Sequence, residues 1–207
     1  MLEGANIYTY LTMLALIAVV AISLERFVTL YLRWRLKVPP FKAGLEQALA
    51  ELDVNKALTI ANLNPNHPVC KAAKAGLMKA NGSDREVVRA MESSAMESMP
   101  KIMGKTNIVA MLGNLGTLLG LIGTVAGMIK AFEGLSNSDS GAKQEVLAKG
   151  IAIAMQSTLF GLIIAIPATF LATVFAGRQE RIIDQIEEVS LSISAGLSQA
   201  NREASNR

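Results

Sequence analysis

Three stretches of this chain are too long and too apolar to rest comfortably in water. From Gly150 to Gly177 no residue is charged, from Ile108 to Phe132 the only charge is Lys130, and from Gly4 to Leu24 there is none. Each exceeds the roughly 18–20 residues needed to cross the hydrocarbon core of a bilayer. A helix in a soluble core rarely stays uncharged for so long, because one of its faces must meet water. The amount of apolar residue decides nothing: at 51% hydrophobic the chain is close to an ordinary globular domain, and its mean hydropathy is only +0.37. It is the clustering that predicts an all-α membrane protein with three transmembrane helices.

The first stretch is not expected to be a signal peptide. Only Glu3 carries a side-chain charge before it, the apolar run is too long for an h-region, and no A-x-A cleavage site follows. It reads as a retained span from about Ile7 to Tyr31, closed by Glu25, Arg26, Arg33, Trp34 and Arg35, a mixture of charge and aromatic anchors suited to a membrane interface.

The net charge of +3 is modest but unevenly placed. Arg33, Arg35, Lys101 and Lys105 flank the segment between spans one and two, which is rich in Lys and Arg throughout. The loop between spans two and three holds Lys143, with Lys130 and Lys149 at its borders. Excess positive charge marks the cytoplasmic side, so the large segment and the tail are expected inside, with the N-terminus and the short loop outside. The expected divisions are 1–35 (outer end and span one), 36–104 (cytoplasmic helical region), 105–133 (span two), 134–148 (outer loop), 149–177 (span three) and 178–207 (cytoplasmic C-terminal helix). No nucleic-acid partner is needed to explain the basic surplus.

Within the cytoplasmic region, Pro39-Pro40 breaks the helix that leaves the membrane. Leu45, Leu49 and Leu52 then form one helical stripe. The segment 62–68 reads as a turn, with helix resuming by Lys71 and ending at Asn81-Gly82. Ser83-Asp-Arg-Glu86 is a capping box. The helix it opens is expected to run unbroken into span two, bent at Pro100, over about 50 residues or about 75 Å. Beyond span three, Ile182, Ile186, Val189, Ile193 and Leu197 continue a narrow apolar stripe that calls for partner helices.

Span two carries Gly113, Gly116, Gly120, Gly123 and Gly127 at spacings that keep all five on one face. Span three answers with Gly150, Ala154, Ser157, Gly161, Ala165, Ala168 and Ala172. In lipid, small residues let helix backbones approach closely, so these two faces are expected to pack on each other or between copies. Asn114, Thr117 and Thr124 lie beside the glycines, and Thr158 lies at the rim of the span-three face. A single threonine in a membrane helix most simply bonds its own backbone. Hydroxyls from several subunits would instead line a narrow, weakly polar path, since Thr donates and accepts without charge. No Asp, Glu or His lies within spans two or three away from their ends. A proton path needs a titrating group, and here another polypeptide must bring it.

These residues resemble the MotA/TolQ/ExbB proton-channel family, in its three-span TolQ/ExbB-like branch. The resemblance rests on Gly120-Leu-Ile-Gly-Thr-Val-Ala-Gly-Met128 with Phe132, on Gly150-Ile-Ala, on Ser157-Thr158, and on Gly161-Leu-Ile-Ile-Ala-Ile-Pro167-Ala. Glu25-Arg26 at the inner end of span one also fits. It implies a bacterial inner-membrane protein with a periplasmic N-terminus and a cytoplasmic C-terminus, assembling as a homopentamer. The pentamer would surround two copies of an ExbD/TolR/MotB-like single-span protein whose transmembrane Asp faces Thr124 and Thr158. The implied function is that of an ion-channel (stator or motor) subunit. Such a subunit turns the proton, or sodium, motive force into work on the envelope, for transport, envelope maintenance or motility, with further envelope or motility proteins as partners. Pro167 would kink span three. The family often has Glu where this chain has Ile153 and Pro where it has Thr117. The first change removes an acid near the outer mouth and the second adds a hydroxyl, which raises sodium as the transported ion.

Two rival readings differ in class. A non-conducting scaffold would oligomerise through the same Gly and Ala faces. An enzyme would need a catalytic constellation, and none is visible. His67 and Cys70 together fall short of the four ligands of a zinc site, and His67 is expected to be a solvated loop residue. Cys70 has no partner for an internal disulfide. No catalytic residue, cofactor or metal is expected.

Overall fold

The computed structural model describes residues 7–136 and 141–205, with side chains described from residue 10 to residue 199. The N-terminal residues expected outside the membrane and the centre of the loop between spans two and three lie outside the described residues. What is described is helical, with no strand: α1 (Ile7–Phe27), a π-helical stretch (Val28–Arg33), α2 (Val38–Ala50), α3 (Val54–Ala61), α4 (Pro68–Leu77), α5 (Asp84–Met103), α6 (Thr106–Ser136) and α7 (Lys143–Ser205). Three helical segments are long and apolar enough to cross a membrane: Tyr10–Arg33, Asp84–Ser136 and Lys143–Gln199. Their positions agree with the three uncharged stretches.

The chain forms two compact units. The first holds α1 as far as Arg26, α6, and α7 as far as Phe175. Here α1 inserts Val19 into a cluster with Val109, Ile164, Ala168 and Ala172, flanked by Leu16, Ile22 and Leu112. The outward surface is apolar: Leu14 is 65% exposed, Ile17 63% and Phe170 68%. Water would penalise such a surface heavily, whereas a bilayer accepts it.

The second unit holds the rest, including α7 from Ala176 onward. Pro39 and Pro40 do more than interrupt the chain, since the two prolines open α2 in its first turn, where a missing N–H costs nothing. The expected stripe stops at Leu49. Leu52 is 44% exposed and adopts φ 58°. Asp53 N–H donates to the Ala48 carbonyl and Leu52 N–H to that of Leu49, both at 3.0 Å. These are the two bonds of a Schellman motif with Leu52 at its left-handed position. Asp53 then caps α3, its carboxylate accepting from Lys56 N–H at 2.9 Å. The Ser83 capping motif opens α5, with Ser83 N–H donating to Glu86 Oε2 at 2.9 Å.

Two further expectations are corrected and one, the partnered stripe of α7, is met. The helix does not continue unbroken from residue 84 into span two. It passes through Pro100 and is interrupted at Gly104-Lys105, where glycine lowers helix propensity. The apolar stripe of α7 finds its partners within the chain. Ile182, Ile186, Val189, Ile193 and Leu197 are all buried, and Leu49 lies against Gly196. Around them Glu188 pairs with Lys42 at 2.6 Å, while Ser192 donates to Glu46 and Ser198 to Asp84, each at 2.8 Å. Finally, His67 is buried, at 1% exposure, and is the N-cap of α4, where Nδ1 accepts from Val69 N–H at 3.3 Å. Proline in the first turn of α4 leaves the cap to the preceding residue, and Cys70 is buried one turn on. Burial, with the charge of Arg178 second, lowers the imidazole pKa to about 4, against a smaller opposing effect of the Trp34 carbonyl.

A one-sided hydroxyl edge on the paired membrane helices

All five glycines of the α6 face are buried, and contact distances define the register. A Cβ built on Gly113 would stand 2.9 Å from Ala168 Cβ. Built on Gly116 it would stand 3.0 Å from Ile164 Cγ2, on Gly120 3.0 Å from the Ser157 carbonyl oxygen, and on Gly127 3.0 Å from Ala154. Rising numbers on α6 meet falling numbers on α7, so the two helices are antiparallel and in backbone contact. Gly161 and Ala154 are buried, and Ala165 is half-buried with its carbonyl turned toward Gly113.

Asn114 and the threonines of this helix pair, Thr106 apart, obey one rule. Asn114, Thr117 and Thr124 each follow a glycine of the α6 row by one residue, namely Gly113, Gly116 and Gly123. On α7, Thr158 follows Ser157, Thr169 follows Ala168, and Thr173 follows Ala172. One residue is a rotation of about 100°. On two antiparallel helices that face each other, the same rotation leads to the same edge of the pair. Asn114 and five threonines therefore share that edge. The remaining threonine of this helix pair, Thr106, accepts from Nε of the buried Arg26 at 3.2 Å. Leu112 and Ile164, rotated the other way, join the cluster that receives α1.

Asn114 and Thr117 are exposed, and Thr124 and Thr158 are half-buried. Thr117 Oγ1 donates to the Gly113 carbonyl at 3.4 Å and Thr124 Oγ1 to that of Leu121 at 2.6 Å. The local reading of a membrane threonine thus holds for both protons, while their oxygens keep accepting capacity. Gly120 lies against Thr158, and Gly127 against Ala154. Thr124, between these two crossings, is accordingly level with the Thr158 turn. α7 runs through Pro167 without interruption. Near the C-terminal end of α1, the Glu25 carboxylate pairs with Lys105 Nζ. Sequence reading noted Glu25-Arg26 but not their partners Lys105 and Thr106. It also passed over Thr169 and Thr173, although the one-residue offset from a small-residue row was there to be read.

At the other end of the pair, Gly127, Lys130, Ala131, Val146, Lys149, Gly150 and Ile153 line a shallow cavity of about 320 Å³. Two lysines and no acid face it. Residues 62–188 match the MotA/TolQ/ExbB proton channel family. The chain belongs to that family. Comparison with curated proteins gives no match. The MotA/TolQ/ExbB match spans the second and third membrane segments with the helices leading into them, and therefore the whole hydroxyl edge.

Proposed function

We propose that this chain is the ion-channel subunit of a bacterial inner-membrane stator complex. Five copies surround two single-span partner helices, and a carboxylate on the partner takes up and releases the ion opposite Thr124 and Thr158. Proton or sodium motive force then becomes mechanical work on the envelope. The basic flanks Arg33, Arg35, Lys101 and Lys105 support an orientation with residues 36–104 and 178–207 cytoplasmic and the loop between α6 and α7 periplasmic.

The observation that carries this reading is the hydroxyl edge on a helix pair that has no acid of its own in mid-span. An oxygen-lined path without a titrating group is half of a proton route, because a membrane relay needs a carboxylate or imidazole. A scaffold needs the small-residue rows but has no use for hydroxyls gathered on one edge.

Two measurements test the proposal. The native mass of the complex, extracted gently from its own membrane, should contain five copies and two of a smaller chain. Thr158→Val keeps the side-chain shape and removes the hydroxyl. It should leave that mass unchanged and abolish energised function. Full function in Thr158→Val, or a homo-oligomer without a single-span partner, would replace the channel with the scaffold.

A further inference from the structure

We propose that Thr169 and Thr173 bind the translocated cation and form the inner half of the ion path. The inference rests on the channel reading and adds residues to it. Both side chains are exposed, on the same edge as Thr117, Thr124 and Thr158. Thr169 Oγ1 donates to the Ala165 carbonyl at 2.8 Å, and Thr173 Oγ1 donates to the Thr169 carbonyl at 2.9 Å. With each proton committed to the helix's own backbone, the rotamer is held and the oxygen lone pairs remain as acceptors. An acceptor without a competing donor suits a hard monovalent cation, either hydronium or sodium.

The spacing supports a relay. Thr158 and Thr169 are eleven residues apart on α7, or about 16 Å, and Thr173 lies about 6 Å further on. The opposite helix fills the longer gap. Gly116 lies against Ile164 and Gly113 against Ala168, so Thr117, next to Gly116, falls between the levels of Thr158 and Thr169. Asn114, next to Gly113, falls at the level of Thr169, whose Oγ1 is 3.6 Å from a Cβ built on Gly113. Successive oxygens are thus separated by distances that one to three waters can bridge. Thr117, Thr124, Thr169 and Thr173 are each satisfied by their own helix and would be tolerated facing lipid. The gathering of all five on one edge is what single satisfied threonines do not explain.

The test uses membrane vesicles from cells that carry the full chain in its own complex. Flux is read as acidification after an acid pulse in sodium-free buffer and, separately, as ²²Na⁺ uptake at constant pH. The two arms distinguish hydronium from sodium. The paired substitutions Thr169→Val and Thr173→Val keep the methyl groups and remove the hydroxyls. They should lower flux of the wild-type ion by about tenfold, the worth of roughly one net hydrogen bond. Thr169→Ser with Thr173→Ser keeps the hydroxyls and should retain flux. Flux that survives in the valine pair, or that falls as far in the serine pair as in the valine pair, would reduce both residues to packing and overturn the inference. If Thr158→Val still lowers flux in that case, the channel reading stands alone. If Thr158→Val is also silent, both fall.

Discussion

Gly161 and Gly120 meet backbone to backbone. A Cβ added to Gly161 would lie 3.0 Å from the Gly120 Cα and 2.7 Å from the Gly116 carbonyl oxygen. Neither neighbour is the end of a flexible side chain, so relief requires the helices to part. Gly161→Ala should therefore cost roughly 1–3 kcal/mol in spite of alanine's better helix propensity. Gly177, with nothing within 4 Å of its Cβ position, supplies the control. Gly177→Ala should hold Tm or raise it, since alanine's better helix propensity adds up to about 1 kcal/mol of stability. Thermal melts of the solubilised complex compare the two; equal behaviour would refute the close-contact account.

His67 makes stability depend on pH. Its folded pKa is lowered from 6.5 to about 4, so between these values the unfolded chain binds the proton more readily. Its contribution is fully present above pH 6.5 and is lost as the pH falls toward 4, by on the order of 3 kcal/mol at the acid end. Protonation also removes the Nδ1 acceptor that caps α4. In His67→Asn, which keeps a capping acceptor without titrating, the fall in Tm between pH 7 and pH 4.5 should become shallower. An unchanged slope would place the titration elsewhere.

Cys70 should be inert. The thiol is buried, and desolvation pushes its pKa up to about 11, against a smaller effect of the Asn64 backbone. Two units above the ordinary value of 9.0 leave about 100-fold less thiolate at neutral pH. Iodoacetamide at pH 7.5 should label the folded protein slowly and the denatured protein readily. Rapid labelling without denaturant would show that α4 opens locally.

Leu52 occupies a position that glycine favours. Its φ of 58° closes α2 in the Schellman turn, a conformation that costs a residue with a Cβ about 1 kcal/mol. The side chain is 44% exposed, so little packing is lost on removing it. Leu52→Gly should raise Tm by a few degrees, as about 1 kcal/mol does in a domain of this size. A drop would mean that the leucine side chain contributes more than its exposure implies.

Much of the architecture was legible because it depends on local pattern. Uncharged length fixes the three spans, the offset between Ser83 and Glu86 fixes the start of α5, and three- and four-residue spacings fix the small-residue rows. The family signature, too, is written in short runs of adjacent residues between Gly120 and Ala168. Misreadings arose where a short pattern met a competing local geometry. Leu52 has the spacing of a stripe residue, but the Schellman turn takes it out of the helix. Gly104, rather than Pro100, interrupts the helix before span two.

The sequence by itself therefore determined which segments are helical, which faces carry small residues, and that spans two and three carry no acid away from their ends. Tertiary structure decided which residues distant in sequence meet. It put Leu49 of α2 beside the tail stripe of α7, sealed His67 away from water, and paired Arg26 with Thr106. It also set the antiparallel register of α6 and α7, and with it the shared edge of Thr117, Thr124, Thr158, Thr169 and Thr173. The physical reason is that periodicity specifies a direction around one helix axis only. The rotation of a second helix against it is set by backbone contacts such as Gly120 on Gly161, between residues some forty positions apart.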